Sequence, residues 1–207
     1  MITNTIKPDT SFNETLKLLN EEVERSLDIK AENITNFMKN NDGRGTDDNT
    51  KDKLYKDAQI LWKEFSNELD TTKYNFFLNR RMSKYLIDLL INKLEYDTNT
   101  VFFAIELEKM VDSIAKIDND VDYLALPLSA TEVTYVYHLL SKHKVKGLTK
   151  DTHTFVEILM LIGSTSKIFD YYNTLLENLS TDITNWVTLF DEGVTSDVSQ
   201  ITLEPTE

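Results

Sequence analysis

The chain has 207 residues, no cysteine and a formal net charge of −13. The absence of cysteine excludes disulfides, thiolate zinc sites, iron–sulfur clusters and cysteine nucleophiles. The excess of carboxylates disfavours direct binding to nucleic acid, because affinity for a phosphate backbone requires several lysines or arginines on one surface.

The charge is unevenly distributed along the chain. The net charge is −5 over residues 1–70, +1 over residues 71–150 and −9 over residues 151–207, where Lys167 is the only base. Such an acidic segment can attract a basic partner, and it also keeps a protein soluble. Only four of the 22 bases are arginines, a bias often seen in phages and low-GC bacteria.

Apolar residues make up 41% of the chain and charged residues 28%, which is typical of a globular protein. The first residues, MITNTIKPDTSF, lack the basic and then apolar pattern of a signal peptide. No apolar run approaches the roughly 18 residues of a membrane span. We therefore expect a soluble protein, cytoplasmic or virion-associated, that makes no membrane contact.

Helical periodicity dominates the first half of the chain. Ser11 and Glu14 fit a capping box that opens a helix, continuous or kinked, over about 11–39. The polar, glycine-containing stretch 40–50 then predicts a loop. The helices expected after this loop carry an apolar stripe from Leu54 to Leu69, a wide apolar face over about 72–96, and a further stripe over about 100–117.

In the second half of the chain, capping residues and helix-breaking residues predict where the helices begin and end. Pro127 interrupts the helical pattern, so the segment 118–127 is predicted to be a connection between two helices. Ser129 and Glu132 form a second capping box, and Asp151 is placed to cap the last long helical pattern. Three features of this last pattern predict a break or a stop, namely Gly163, the pair Ser180 and Thr181, and Gly193.

No strand alternation is apparent before residue 192, and five glycines and three prolines are too few for the turns of a β-rich fold. The sequence therefore predicts an all-α fold, a helical bundle of six to eight helices. We expect an N-terminal helical arm over 1–39, a flexible loop over 40–50, a bundle over 51–191 and an extended acidic tail over 192–207.

Two polar loops contain several of the aspartates that a calcium site requires. With Gly43 at position six of an EF-hand loop, Met38 and Asn49 occupy positions one and twelve, and neither fits. Asp118, Asp120 and Asp122 have the spacing of the first three ligands of a calcium loop. However, Tyr123 and Ser129 occupy positions six and twelve, where such a loop has Gly and Glu. Whether these three aspartates hold a divalent ion is left open.

No catalytic pattern is present in the sequence. The motifs H-E-x-x-H, Glu-x-x-His, G-x-S-x-G and G-x-G-x-x-G are all absent. Glu21 and Glu24 give the E-x-x-E spacing of helical nucleotide pyrophosphohydrolases, but the second acidic pair that would hold magnesium is missing. We expect a protein that is not an enzyme and that uses no cofactor.

Three features point to protein partners. Doubled aromatics cannot both bury their rings on one helix face, basic residues cluster near 142–150 and at the pair Arg80–Arg81, and the tail carries spaced apolar residues. The predicted partner-binding residues are Phe76, Phe77, Arg80, Arg81, Lys142, Lys144, Lys146, Lys150, Val198, Ile201 and Leu203.

We therefore expect an acidic helical protein that acts through protein–protein contacts, as an assembly subunit or adaptor in a phage or viral setting. Its partner is another protein or further copies of itself, with the basic middle segment meeting the acidic end. The alternative is an acidic mimic of nucleic acid that blocks a basic cleft on another protein, which the −9 segment favours.

Overall fold

The computed structural model describes residues 11–42, 47–96, 98, 101–117, 123–145 and 147–189, with side chains in 101–117 described as far as Asp112. Within these ranges the chain is all-α, with six helices and one small sheet, as predicted. The elements in chain order are α1 Phe12–Asn41, α2 Asp48–Thr71, β1 Tyr74–Asn79, α3 Arg80–Asn92, α4 Val101–Ile117, β2 Tyr123–Leu128, α5 Ala130–Ser141 and α6 Lys150–Leu189.

The chain forms two compact units. Unit 1 comprises Met1–Val23 and Thr72–Lys167, and unit 2 comprises Glu24–Thr71 and Ile168–Glu207. The long helices α1 and α6 each contribute to both units, so these units do not divide at the predicted loop 40–50. The first helix was predicted to be either continuous or kinked, and α1 is continuous from Phe12 to Asn41.

Unit 1 contains a strand where the sequence predicted a helix. β1 and β2 pair in antiparallel register, with Tyr74 opposite Leu128 and Asn79 opposite Tyr123. The helix predicted over 72–96 is therefore wrong at its start, because Tyr74, Phe76 and Leu78 alternate into the core as strand residues do. α3 begins only after Asn79, whose side chain accepts a hydrogen bond from the backbone N–H of Met82 at 2.9 Å.

The end of the predicted connection 118–127 is also a strand. Leu124, Leu126 and Leu128 of β2 are buried, and the residues between them are half-buried. Pro127 is compatible with this strand because a two-stranded sheet has only edge strands, on which one backbone N–H can be missing. Asp118, Asp120 and Asp122 lie outside the described residues.

The capping box of α5 is confirmed. The Ser129 side chain accepts a hydrogen bond from the backbone N–H of Glu132, and the Glu132 carboxylate accepts one from the backbone N–H of Ser129 at 2.7 Å. Burial alone would raise the pKa of Glu132, but the Ser129 hydrogen bonds and the Lys73 ammonium outweigh it and lower that pKa. The start of α5 is thus held by two hydrogen bonds from backbone N–H groups and by the ion pair between Glu132 and Lys73.

α6 is a single helix of forty residues, so the predicted breaks at Gly163 and at Ser180–Thr181 are wrong. The threonine hydroxyls bond within the helix instead of ending it, as Thr184 does by donating to the Ser180 carbonyl at 3.1 Å. The start also differs from prediction. The Thr149 hydroxyl, not Asp151, accepts from a first-turn backbone N–H, that of Thr152 at 3.3 Å.

Unit 2 is built from the second half of α1, from α2 and from the second half of α6. Polar side chains bond across all three helix pairs. Trp62 Nε1 donates to the Leu176 carbonyl at 2.8 Å, the Tyr172 hydroxyl donates to Asp28 at 2.5 Å, and Ser26 donates to Glu68 at 3.1 Å. Burial, followed by the Asp28 carboxylate, raises the pKa of Tyr172 well above its usual value. The apolar positions between these bonds form the core of this unit.

The Ser129 cap gives a stability prediction. Ser129→Ala removes an acceptor that no other side chain of α5 replaces, so we expect the free energy of unfolding to fall by about 1 kcal/mol. Urea denaturation measures this change. Ser141→Ala at the other end of α5 is the matched control, since its hydroxyl only donates to the His138 carbonyl. Equal losses in the two variants would contradict the capping role.

Candidate protein interaction surface

Large apolar side chains that remain exposed are concentrated in unit 1. Of the thirteen found among the described residues, ten belong to unit 1 and three to unit 2. The ten are Leu18, Ile91, Phe102, Ile105, Tyr135, Tyr137, Val145, Leu148, Val156 and Met160. Exposed apolar residues that are scattered singly are ordinary on a protein surface, so only those that lie together indicate a contact surface.

The two units also divide the charge of the chain. Counted from the sequence, unit 1 has 16 acids and 14 bases, a net charge of −2, and unit 2 has 19 acids and 8 bases, a net charge of −11. Unit 1 therefore combines near-neutrality with apolar exposure, while unit 2 holds most of the charge that opposes association.

α5 presents a surface almost free of charge. Glu132 is its only charged residue, and that carboxylate is engaged by Ser129 and Lys73. The exposed side chains of α5 are hydroxyls, one imidazole and two phenols, and together they define what is called here the α5 face. Its members are Thr131, Thr134, Tyr135, Tyr137, His138 and Ser141.

One edge of the α5 face is formed with α4. The ring of Tyr135 lies against that of Phe103, with centroids 5.3 Å apart. Phe102, the next residue on α4, is 69% exposed. The doubled aromatics at 102–103 therefore behave as predicted, with one ring packed against a neighbour and the other in solvent. This edge adds aromatic area to the face.

The other edge is formed with α6, at Gly163. A Cβ atom placed on Gly163 would lie 2.9 Å from Cε2 of Tyr137, closer than real side chains approach. The glycine is thus explained by the close approach of the Tyr137 ring rather than by a helix break. Met160 and Val156, one and two turns earlier on the same side of α6, are both exposed.

Among the predicted basic residues, Lys142, Lys144 and Lys150 are exposed, and they lie in or beside the α5–α6 connection, residues 142–149. Lys146 lies outside the described residues. His143 is half-buried, and its ring meets the Phe155 ring edge-on with centroids 5.3 Å apart. The structure therefore brings three of the predicted lysines to one end of the α5 face.

The predicted pairs on β1 and α3 are placed differently. Phe76 is fully buried, so the prediction that it contacts a partner is wrong, because a strand directs neighbouring residues to opposite faces. Phe77 is half-buried on the outer face of the sheet. Arg80 and Arg81 are exposed at the start of α3, where Arg81 pairs with Glu157 of α6.

Several predicted features fall outside what the structure describes. Val198, Ile201 and Leu203 belong to this group. In the described part of the chain, no three His, Asp or Glu residues are grouped so that they could hold a metal ion. No helix there is both long and apolar enough to cross a membrane.

The sequence prediction missed the α5 face. Helical spacing alone groups Tyr137 with Val133, Val136 and Leu140 on the apolar side of α5, yet Tyr137 lies at the margin of the exposed surface. A usable signal was present, since the outward positions of α5 carry no lysine, arginine, aspartate or glutamate in a chain with 28% charged residues.

Comparisons with known proteins do not add to this picture. No protein-family model matches the chain, and neither the curated proteins nor the solved structures gave a significant match.

The Tyr137–Gly163 contact predicts non-additive stability. In a Tyr137→Ala background, Gly163→Ala should raise the free energy of unfolding by about 1 kcal/mol, because alanine favours the helix. With Tyr137 present, the new methyl group displaces the ring, so we expect a smaller gain or a loss. A double-mutant cycle by urea denaturation measures the difference. Equal effects in both backgrounds would show that the ring does not require the glycine.

Proposed function

We propose that this protein acts through protein–protein contacts, as an assembly subunit or adaptor and not as an enzyme, and that the α5 face is its contact surface. The observation that carries this proposal is a neutral, aromatic-edged surface on a chain with a net charge of −13. Interface cores are enriched in Tyr, Phe and Met and depleted of Lys, Glu and Asp. The two tyrosines of the face, Phe102 and Met160 at its edges, and the absence of lysine and free carboxylates on α5 follow these trends.

Electrostatics favours this surface over the others. Charged groups are costly to desolvate in an interface, and like charges repel when two acidic proteins approach. The α5 face brings hydroxyl and aromatic groups to the contact, and these lose little on leaving water when they find hydrogen-bond partners. The one carboxylate of α5, Glu132, is already engaged by Ser129 and Lys73, so α5 itself brings no free carboxylate to a second copy.

The proposal includes a phage or viral particle as the assembly in which this protein works. Its only support is the excess of lysine over arginine, with four arginines among 22 bases. The contact mechanism does not depend on that setting.

The charge of unit 2 supports a second candidate, an acidic mimic of nucleic acid. From residue 168 to the end of the sequence there are eight acids and no base. On α6, however, the exposed Asp170 and Glu177 are separated by the neutral Asn173 and Thr174, so a close row of carboxylates is not formed there. A mimic should bind its target much more weakly as salt rises, whereas contact through the α5 face should tolerate salt.

A charge placed on the α5 face tests the proposal. Thr134→Lys puts an ammonium in the middle of the face, so we expect light scattering to show loss of self-association. The matched control is Thr174→Lys on α6, because both threonines are exposed and both hydroxyls donate to the carbonyl four residues earlier. Both variants change the net charge equally, so a difference between them reports position.

The result that would contradict the proposal is equal self-association of the two variants. A wild-type mass of 24.0 kDa at every concentration would remove the assembly subunit from the proposal.

A further inference from the structure

The α5–α6 connection, residues 142–149, holds apolar side chains in solvent. Leu148 is 90% exposed and Val145 is also exposed. Burying a leucine side chain lowers the free energy by removing apolar area from water, and Leu148 keeps nearly all of that area exposed in the single chain. A partner that covers it would gain this free energy.

Local bonds hold the described residues at the two ends of the connection. The Thr152 hydroxyl donates to the Gly147 carbonyl at 2.7 Å, and it also accepts from the backbone N–H of Thr149 at 3.2 Å. Gly147 has a φ of +79°, a left-handed conformation that glycine adopts without strain. His143 anchors the other end through its backbone N–H, which donates to the Leu140 carbonyl at 3.0 Å. These bonds hold the residues beside Leu148 in place in the single chain, which lowers the entropy that Leu148 loses on binding.

The same connection is basic. Lys142, Lys144 and Lys150 are exposed, and none of them forms an ion pair with another described residue. Residues 142–149 contain no acid, and the nearest carboxylate along the chain is the exposed Asp151. The complementary partner is therefore an acidic segment that carries apolar side chains.

The chain itself contains such a segment. Residues 191–207 have five acids and no base, and their spaced apolar residues are Val194, Val198, Ile201 and Leu203. We propose that the α5–α6 connection of one copy docks residues 191–207 of a second copy, with Leu148 and Val145 against the apolar residues and the lysines against the carboxylates. This inference rests on the proposed function.

Chain length selects a second copy over the same chain. The connection directly precedes α6, and a helix of forty residues at 1.5 Å per residue is about 60 Å long. From Leu189 at its end to Ile201 there are twelve residues, which span about 40 Å when fully extended. The segment that follows α6 is therefore too short to bring Ile201 back to the start of the same helix.

A contact between different surfaces of two copies is head-to-tail. Such contacts repeat, and they generate rings when the rotation closes and open filaments when it does not. Because lysines and carboxylates form much of this contact, salt should weaken it more than it weakens contact through the α5 face.

Cross-linking tests the docking directly, because the natural chain has no cysteine. Leu148→Cys and Ile201→Cys variants of the full chain are mixed and treated with a short bismaleimide. We expect several-fold more covalent dimer than from Ile60→Cys mixed with Ile201→Cys, since Ile60 is an equally apolar exposed residue in unit 2. The Leu148→Cys/Ile201→Cys double variant should form a ladder of oligomers. Dimer yields equal to the Ile60→Cys control, or cross-linking only within single chains, would overturn the proposal.

Reversing the charges separates docking from nonspecific cross-linking. Lys142→Glu, Lys144→Glu and Lys150→Glu together should reduce the Leu148–Ile201 cross-link to the control level. Adding Asp197→Lys and Glu204→Lys to the partner should restore it, and failure to restore it would count against the docking.

Light scattering distinguishes the two proposals. Assemblies without this cross-link overturn the docking alone, whereas a 24.0 kDa monomer without the cross-link overturns the docking and the assembly subunit, and leaves the adaptor.

Discussion

Electrostatic repulsion between copies is the constraint on which the other features of this protein depend. A chain with a net charge of −13 resists close contact with itself or with any acidic protein. The sequence places −11 of that charge in unit 2 and only −2 in unit 1. An association surface is therefore expected in unit 1, and it is there that exposed apolar side chains are concentrated among the described residues.

The fold of unit 1 accounts for the placement of α5. The reciprocal bonds of Ser129 and Glu132 fix the start of the helix and engage its only carboxylate. Gly163 lets the Tyr137 ring lie directly against α6, and Phe103 supports the Tyr135 ring from α4. The exposed side chains between these two tyrosines are three hydroxyls and the imidazole of His138. The result is a supported neutral surface, with exposed lysines just beyond its C-terminal end.

Sequence reasoning worked where the pattern had a local cause. Periodicity predicted the all-α class, and the Ser129 capping box was confirmed because its bonds join residues only three apart. The helix predicted at 74–79 was wrong, because a short apolar run fits a strand as well as a helix. Pairing with the distant strand β2 makes this run a strand. Gly163 likewise depends on Tyr137, a residue that periodicity cannot place beside it. For the interaction site, Lys142, Lys144 and Lys150 of the predicted basic cluster are exposed, and their contact with a partner stays a prediction. The α5 face was missed because a surface bounded by three helices is defined only by tertiary packing.

The mass of the wild-type protein in solution, measured by light scattering at low and at high salt, tests the central claim most directly. Contact through the α5 face predicts a mass above 24.0 kDa at both salts, and docking of residues 191–207 on the α5–α6 connection predicts a larger mass at low salt. A mass of 24.0 kDa at both salts would contradict the claim that copies of this chain associate.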